Sequence, residues 1–225
     1  MNEATADEPV FNAIYEAVQS RRLQPGAKLR EVEMATLFKV SRNSVRSAFM
    51  RLAHKGLLEL APNRGASVAR PTLKQCQDIL AARRVIEGAI VQTLAATATP
   101  QAVRMLRNHV KAQKSAFVAR DVAQGHKLAM DFHRLMAKLA GNSLFESYVE
   151  DLLGRMPLIL LTHASHRNAA EATHAGHIEL VEAIAAHDVD QASRLLDEHL
   201  AEVEVELNLS AAAAPRTMAE IFGLE

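Results

Sequence analysis

Two groups of side chains in this 225-residue sequence have types and spacings that bear chemistry: the histidines His133, His177 and His199, and the cluster Arg42, Asn43 and Arg46. Imidazole nitrogens suit Zn, Ni, Co or Fe better than Mg or Ca, so three histidines converging in an apolar interior would form a transition-metal site. Periodicity places the three on different helices and does not say whether they converge; taken singly, each is an ordinary surface or hydrogen-bonded histidine. The i,i+3 pairs His163 with His166 and His174 with His177 compete as surface sites. Arg42, Asn43 and Arg46 offer different chemistry. Arginine donates twice to guanine and asparagine pairs with adenine, each good contact discriminating by about 1 to 3 kcal/mol. Arg64, in the turn Pro62-Asn63-Arg64-Gly65, adds a cation that could reach a minor groove or a phosphate. A lone exposed arginine is ordinarily just solvated; it is the grouping that points to a polyanion.

The charge distribution supports that reading. The chain carries 26 Lys and Arg against 26 Asp and Glu, a net of zero. Residues 9–71, however, hold eleven Lys and Arg against four Glu, a net of +7, while residues 1–8 carry −3 and the remainder −4. Nine of the ten histidines lie beyond residue 71. A basic module joined to a mildly acidic, histidine-rich one suggests a polyanion binder with a separate sensing or assembly part. The single Cys76 cannot form an internal disulfide, which fits a reducing compartment. The longest apolar stretch, 88–103, is interrupted by Gln92, Thr93, Thr97, Thr99 and Gln101 and is too short for a span of about 20 residues. With Glu3, Asp7 and Glu8 at the start, no secretory leader is expected, and the chain reads as cytoplasmic with no membrane partner.

The elements that must position these groups are mostly helical. Aromatic residues make up only 4% and alanine and leucine abound, which argues against a β-sandwich or barrel. Helical spacing predicts a first helix over 10–22, stopped by Pro25-Gly26, a second over 29–38, and a third after Ser41, the N-cap residue, ending at Gly56. Two strand-like runs, 57–60 and 66–69, flank the turn at 62–65. Three short helices and a hairpin form the winged helix-turn-helix pattern, in which Arg42, Asn43 and Arg46 occupy the first turns of the recognition helix. Beyond residue 72 the chain reads as a bundle of about six helices: 73–97, 100–120, 122–140, 143–162, 170–187 and 189–208. The fold class is thus mainly α. Its expected parts are a lead at 1–8, a DNA-binding domain at 9–71, an all-helical domain at 72–210, and a tail at 211–225.

The first part resembles the GntR family of bacterial transcription regulators. The resemblance rests on Pro25-Gly26, Leu29, Glu31, Met34-Ala35, Val40-Ser41-Arg42, Val45-Arg46, Leu52, Gly56-Leu57-Leu58, Pro62 to Gly65 and Val68. In the pattern of the family, Ser41, Arg42, Asn43, Arg46, Arg64 and Gly65 are candidate DNA contacts. Two positions depart from it: Lys39 stands where the family usually has glycine, and Ser44 where it usually has proline. Lysine tolerates positive φ poorly, so the first change should cost some turn stability.

The second part resembles the FCD domain, the effector-binding partner in FadR-type members of that family. The resemblance is carried by Arg83 with Glu87, Phe132-His133, Gly141-Asn142, and His177 followed by Asp188, Ala192 and His199. It implies a divalent metal held by His133, His177 and His199, and a small carboxylate effector bound by Arg83 and Asn142. Metal-binding members also use an aspartate one helical turn before the first histidine; here that position is Ala129. Asp131 is on a different face and does not replace it, whereas His126, seven residues before His133, shares its face. Arg83 pairing with Glu87 at i+4, and Asn142 as a helix C-cap, are the plainer alternatives.

Together these readings imply a homodimeric regulator on a double-stranded operator with two half-sites, commonly a repressor released by its ligand. Two other classes remain open on residues alone. An open three-histidine site could activate water in a hydrolase, although only one Glu-x-x-His motif, Glu171 to His174, is present and no P-loop or dinucleotide fingerprint appears. An architectural DNA binder whose bundle merely dimerises would ignore small acids.

Overall fold

Pro9 in the first turn and the apolar stripe Val10, Phe11, Ile14 and Val18 make the first helix, α1 (Glu8–Gln19), whose buried face carries those four residues. The computed structural model describes residues 6–61, 65–163 and 169–207, without the side chains of Val122 and residues 169–174. Asp7 and Glu8, expected in a loose lead, are part of the head. The Asp7 carboxylate accepts from Ser47 (2.9 Å) and Arg51 (3.0 Å), which ties the start of α1 to the third helix.

The second helix begins later than its periodicity predicts. Leu29 lies in a two-residue strand, β1 (Lys28–Leu29), and α2 spans Glu31–Phe38. Apolar periodicity ran Leu29 into the helix because a two-residue strand has no period of its own. Ser41 caps α3 (Arg42–His54) as expected, its hydroxyl accepting from the Ser44 amide at 3.1 Å. Strands β2 (Leu58–Ala61) and β3 (Gly65–Val68) pair antiparallel, and β1 adds to the far side of β3, giving the order β1-β3-β2. Gly65 is required at the start of β3: its φ is +92°, and a Cβ there would lie 2.3 Å from the Leu29 carbonyl oxygen.

Seven helices follow. They are α4 (Leu73–Thr97), α5 (Pro100–Val118), α6 (Val122–Ala140), α7 (Ser143–Leu153), α8 (Met156–His163), α9 (Ala169–Ala185) and α10 (Val189–Glu206). Thr72 and Gln75 form a capping box on α4, and Thr99, Asp121, Asn142 and Asp188 cap α5, α6, α7 and α10. One helix was expected over 143–162. It breaks at Gly154-Arg155 because Pro157 has no amide proton and its ring clashes with the carbonyl four residues back. The winged helix-turn-helix followed by an all-helical bundle is the fold the sequence predicts.

The break has a purpose in packing. Leu158 of α8 is fully buried in the core of the head, among residues of α1, α3 and the sheet, so the bundle plugs the head. Polar bonds frame that plug. Gln19 donates to the Gly154 carbonyl (2.9 Å), Arg155 Nε to the Lys55 carbonyl (2.9 Å), and Lys55 pairs with Asp151 (2.6 Å). No described helix is long and apolar enough to cross a membrane.

Candidate functional site

In the head, α3 turns Val45, Ala48, Phe49 and Leu52 inward, which leaves Arg42, Asn43 and Arg46 exposed along the opposite face. Arg42 and Arg46 are one helical turn apart, and Glu31 at the start of α2 receives both, from Arg42 Nη2 at 3.1 Å and Arg46 Nε at 2.8 Å. The two guanidinium groups hold the Glu31 carboxyl below its usual range, Arg46 most strongly. Glu31 thereby ties the two arginines together from the start of α2, a pairing whose sequence signal is no more than an acid eleven residues before Arg42. Ser41 is engaged as the cap. Gly65 is buried at the start of the central strand β3, where its lack of a side chain serves the sheet. Arg64 lies outside the described residues.

In the bundle, α6, α9 and α10 bring His133, His177 and His199 together. Each is buried, and one nitrogen from each lies within 4.8 Å of the others. His177 Nε2 is 3.4 Å from His199 Nε2, and the ring centroids are 4.6 to 5.2 Å apart. The competing surface pairs are not comparable: His163 bonds the Pro71 carbonyl (2.8 Å), His166 is outside the described residues, and of the His174 side chain nothing is described.

The surroundings suit a cation. Burial lowers His133 and His199, the latter to about 3, which favours the neutral form that offers a lone pair. Gln113 of α5, fully buried, has its Oε1 3.0 Å from His177 Nδ1; accepting that N–H leaves Nε2 turned to its partners as a lone pair. His133 Nδ1 contacts a carboxylate oxygen of Glu87 at 2.6 Å, whereas His133 Nε2 and His199 Nδ1 are buried without a hydrogen-bond partner. Buried polar atoms ordinarily have partners. A buried His133 Nε2 without a partner, in a cluster where one nitrogen of each histidine lies within 4.8 Å of the others, is what a bound divalent ion would satisfy, so the residues fit the metal. Gln113 was not singled out in the sequence, since a glutamine at a helical core position carries no distinctive signal.

Around the triad, Arg83 of α4 is buried and donates through Nε to Glu87 Oε1 at 2.5 Å, while its Nη1 has no partner. Burial pushes the Glu87 carboxyl up, but the Arg83 guanidinium beside it outweighs burial and holds the group ionised. The i+4 ion pair is thus present, and one guanidinium nitrogen, Nη1, is left over from it. Ala129 sits one turn before His133 and lines a small chamber with Arg83 and His199. Asn142 is placed elsewhere: exposed at the start of α7, its Oδ1 accepts from the amides of Leu144 (3.0 Å) and Phe145 (3.4 Å). It is a helix N-cap rather than a C-cap, with no contact to the chamber. Cys76 is buried, which pushes its thiol up to about 11, so it is no ready nucleophile.

Comparison with known proteins agrees with this geometry. Residues 7–68 match the bacterial regulatory proteins of the gntR family, and residues 78–202 match the FCD domain. The chain is 26% identical over 200 residues to the HTH-type transcriptional repressor RspR of Escherichia coli, covering 87% of this chain and 88% of that one. It is 27% identical over 222 residues to the HTH-type transcriptional repressor NanR of Escherichia coli, covering 86% and 81%. The fold resembles E. coli McbR/YncC (TM-score 0.78, 22% identity, 92% of this chain and 98% of that chain). A putative GntR transcriptional regulator from Rhodococcus sp. RHA1 is similar to the same degree (TM-score 0.80, 23% identity, 91% and 98%).

Proposed function

The chain belongs to the gntR family of bacterial transcription regulators with an FCD domain, and from that premise we propose that it is a cytoplasmic, homodimeric repressor whose hold on a double-stranded operator is set by a small carboxylate bound beside a divalent metal. The single observation that carries the sensing part is the buried meeting of His133, His177 and His199 next to Arg83. That the relatives RspR and NanR are repressors supports the sign of regulation.

Each part has an assigned task. Arg42, Asn43 and Arg46 read base edges, with Glu31 tying the two arginines together; Arg64 meets the backbone or the minor groove. His133, His177 and His199 hold the ion, Zn, Ni, Co or Fe by their donor type, and Gln113 holds His177 in the ligating tautomer. A cation there would supply the positive centre that draws in a carboxylate. Arg83 offers that carboxylate a second, directional contact through Nη1. The fourth ligand position, Ala129, brings no carboxylate of its own, so the anion that completes the shell comes from the effector. The head responds because α6 carries His133 and Arg134 side by side. Arg134 Nε donates to Glu150 at 2.5 Å, and the other oxygen of Glu150 accepts from Tyr15 of α1 at 2.5 Å. Coupling through such a network is typically worth about 1 to 3 kcal/mol, or about 5- to 150-fold in operator affinity.

Metal analysis of the purified chain beside a His177→Ala, His199→Ala double variant tests the site: near one ion per wild-type chain and near none in the variant are expected, and equal contents would remove the metal from the reading. Gel shifts at fixed salt test the regulator. A promoter fragment from the protein's own locus should bind at least a hundredfold tighter than random DNA, and equal affinity would defeat operator recognition.

A further inference from the structure

The chamber beside the triad is too small for an effector. Its volume is about 30 Å³, and Arg83, Ala129, His199, Val203 and Glu206 are among the residues that enclose it. By that measure it takes one or two waters, whereas small-molecule sites generally occupy about 300 to 1,000 Å³. A volume of that size adjoins it. A cleft of about 690 Å³ lies between the head and the bundle, and His126, Met130 and Leu160 line both spaces. His126, Ala129, Met130 and His133 form one stripe along α6 at spacings of three and four, so a single helix face leads from the cleft through the chamber to the triad.

Resting on the reading above, we propose that the effector is an elongated organic acid with two anionic ends. One carboxylate enters the chamber toward Arg83 and the triad, the body lies in the interdomain cleft, and the far carboxylate is held by Arg21 of the DNA-binding head. The cleft supplies what such a molecule needs. Met130, Pro157 and Leu160 give the body an apolar floor on the bundle side. Of the other cations that line the cleft, Lys127 is paired with Asp131, Arg134 with Asp131 and Glu150, and Arg22 Nε donates to the Ser20 hydroxyl. Arg21 lies in the turn that closes α1, where it lines the cleft half-buried, in the left-handed conformation (φ +58°) common at a helix C-terminus. The acidic group that interacts electrostatically with Arg21 is Glu206 of α10, which itself lines the chamber, so a ligand carboxylate competes with Glu206 for Arg21 at the chamber's rim. A ligand spanning that rim touches head and bundle at once, and its binding then differs directly between arrangements of the two.

The test uses the full-length, metal-loaded chain titrated with acetate and with the linear dicarboxylates malonate, glutarate, pimelate and azelate. Affinity should rise with length to at least tenfold above acetate, and Arg21→Ala should abolish that gain, with Arg21→Lys restoring part of it. Only the longer diacids should alter operator affinity in a gel shift. Diacids that bind no tighter than acetate, a length gain that survives Arg21→Ala in a variant melting like wild type, or no carboxylate binding at all would each overturn the proposal. Metal content measured on the same samples reports separately on the triad, so the loss of the long ligand and the loss of the metal site are told apart.

Discussion

Metal uptake by this chain should be far less sensitive to acid than a three-histidine site usually is. A histidine with an ordinary pKa of about 6.5 is only about one-tenth neutral at pH 5.5. Three such ligands would release close to three protons per metal at that pH and lose roughly tenfold in affinity each between pH 7.5 and 5.5. Here burial lowers His199 to about 3, helped by the nearby charge of Arg83 and opposed by Glu87. His133 is lowered by burial as well, against the pull of Glu87. His199 therefore has no proton to give and His133 less than a full share, so the count should stay below about two. Calorimetric titration with zinc at pH 5.5, in two buffers of different ionisation enthalpy, counts the protons directly. The cost of this arrangement falls on the metal-free fold. Below about pH 6.5 the unfolded chain takes up protons that folded His199 refuses, so its contribution is fully present above that pH and is lost as pH falls toward 3. That loss is about 1 kcal/mol per pH unit, or about 2 to 4 °C of melting temperature for a chain of this size, with His133 acting in the same direction. A release near three protons, together with a metal-free melting temperature that does not fall between pH 7 and 5.5, would refute the reasoning.

Lys39 occupies the left-handed region with φ +55° at the end of α2. Lys39→Gly should remove about 1 to 2 kcal/mol of strain and return part of it as chain entropy, a net gain of about 0.5 to 1 kcal/mol in urea denaturation; a loss of stability would contradict it. Leu158→Ala should cost about 2 to 5 kcal/mol. Because Leu158 fills the core of the head from the bundle, near-ultraviolet circular dichroism of Tyr15 should be lost along with the stability, and a change below about 1 kcal/mol would mean that the plug is not what holds the head. Gly65→Ala should destabilise the wing by more than about 2 kcal/mol through its φ of +92° and the Leu29 carbonyl at 2.3 Å. An alanine variant that melts like wild type but loses DNA affinity would instead make Gly65 a direct contact.

Much of this protein is determined by local rules and so is legible in one dimension. Ser41 and Asp188 announce helix starts, Gly141 a helix end, and the eleven cations of residues 9–71 announce a polyanion partner, because capping, turn chemistry and charge need no distant residue. Where a rule acts over two residues or through a single proline, periodicity misleads: Leu29 reads as helix but pairs with Ala66 in a strand, and 143–162 reads as one helix but breaks before Pro157. The site is divided in the same way. Residue type made His133, His177 and His199 candidates, but only the packing of α6, α9 and α10 brings their nitrogens within 4.8 Å, and only that packing removes the water that would otherwise keep His199 titratable. Packing likewise sends Asn142 to cap α7 while placing Gln113 against His177, because what a polar side chain does is decided by the partner within reach of it. Sequence fixes what each group is able to do; the neighbours that burial and distance supply decide which of those things it does.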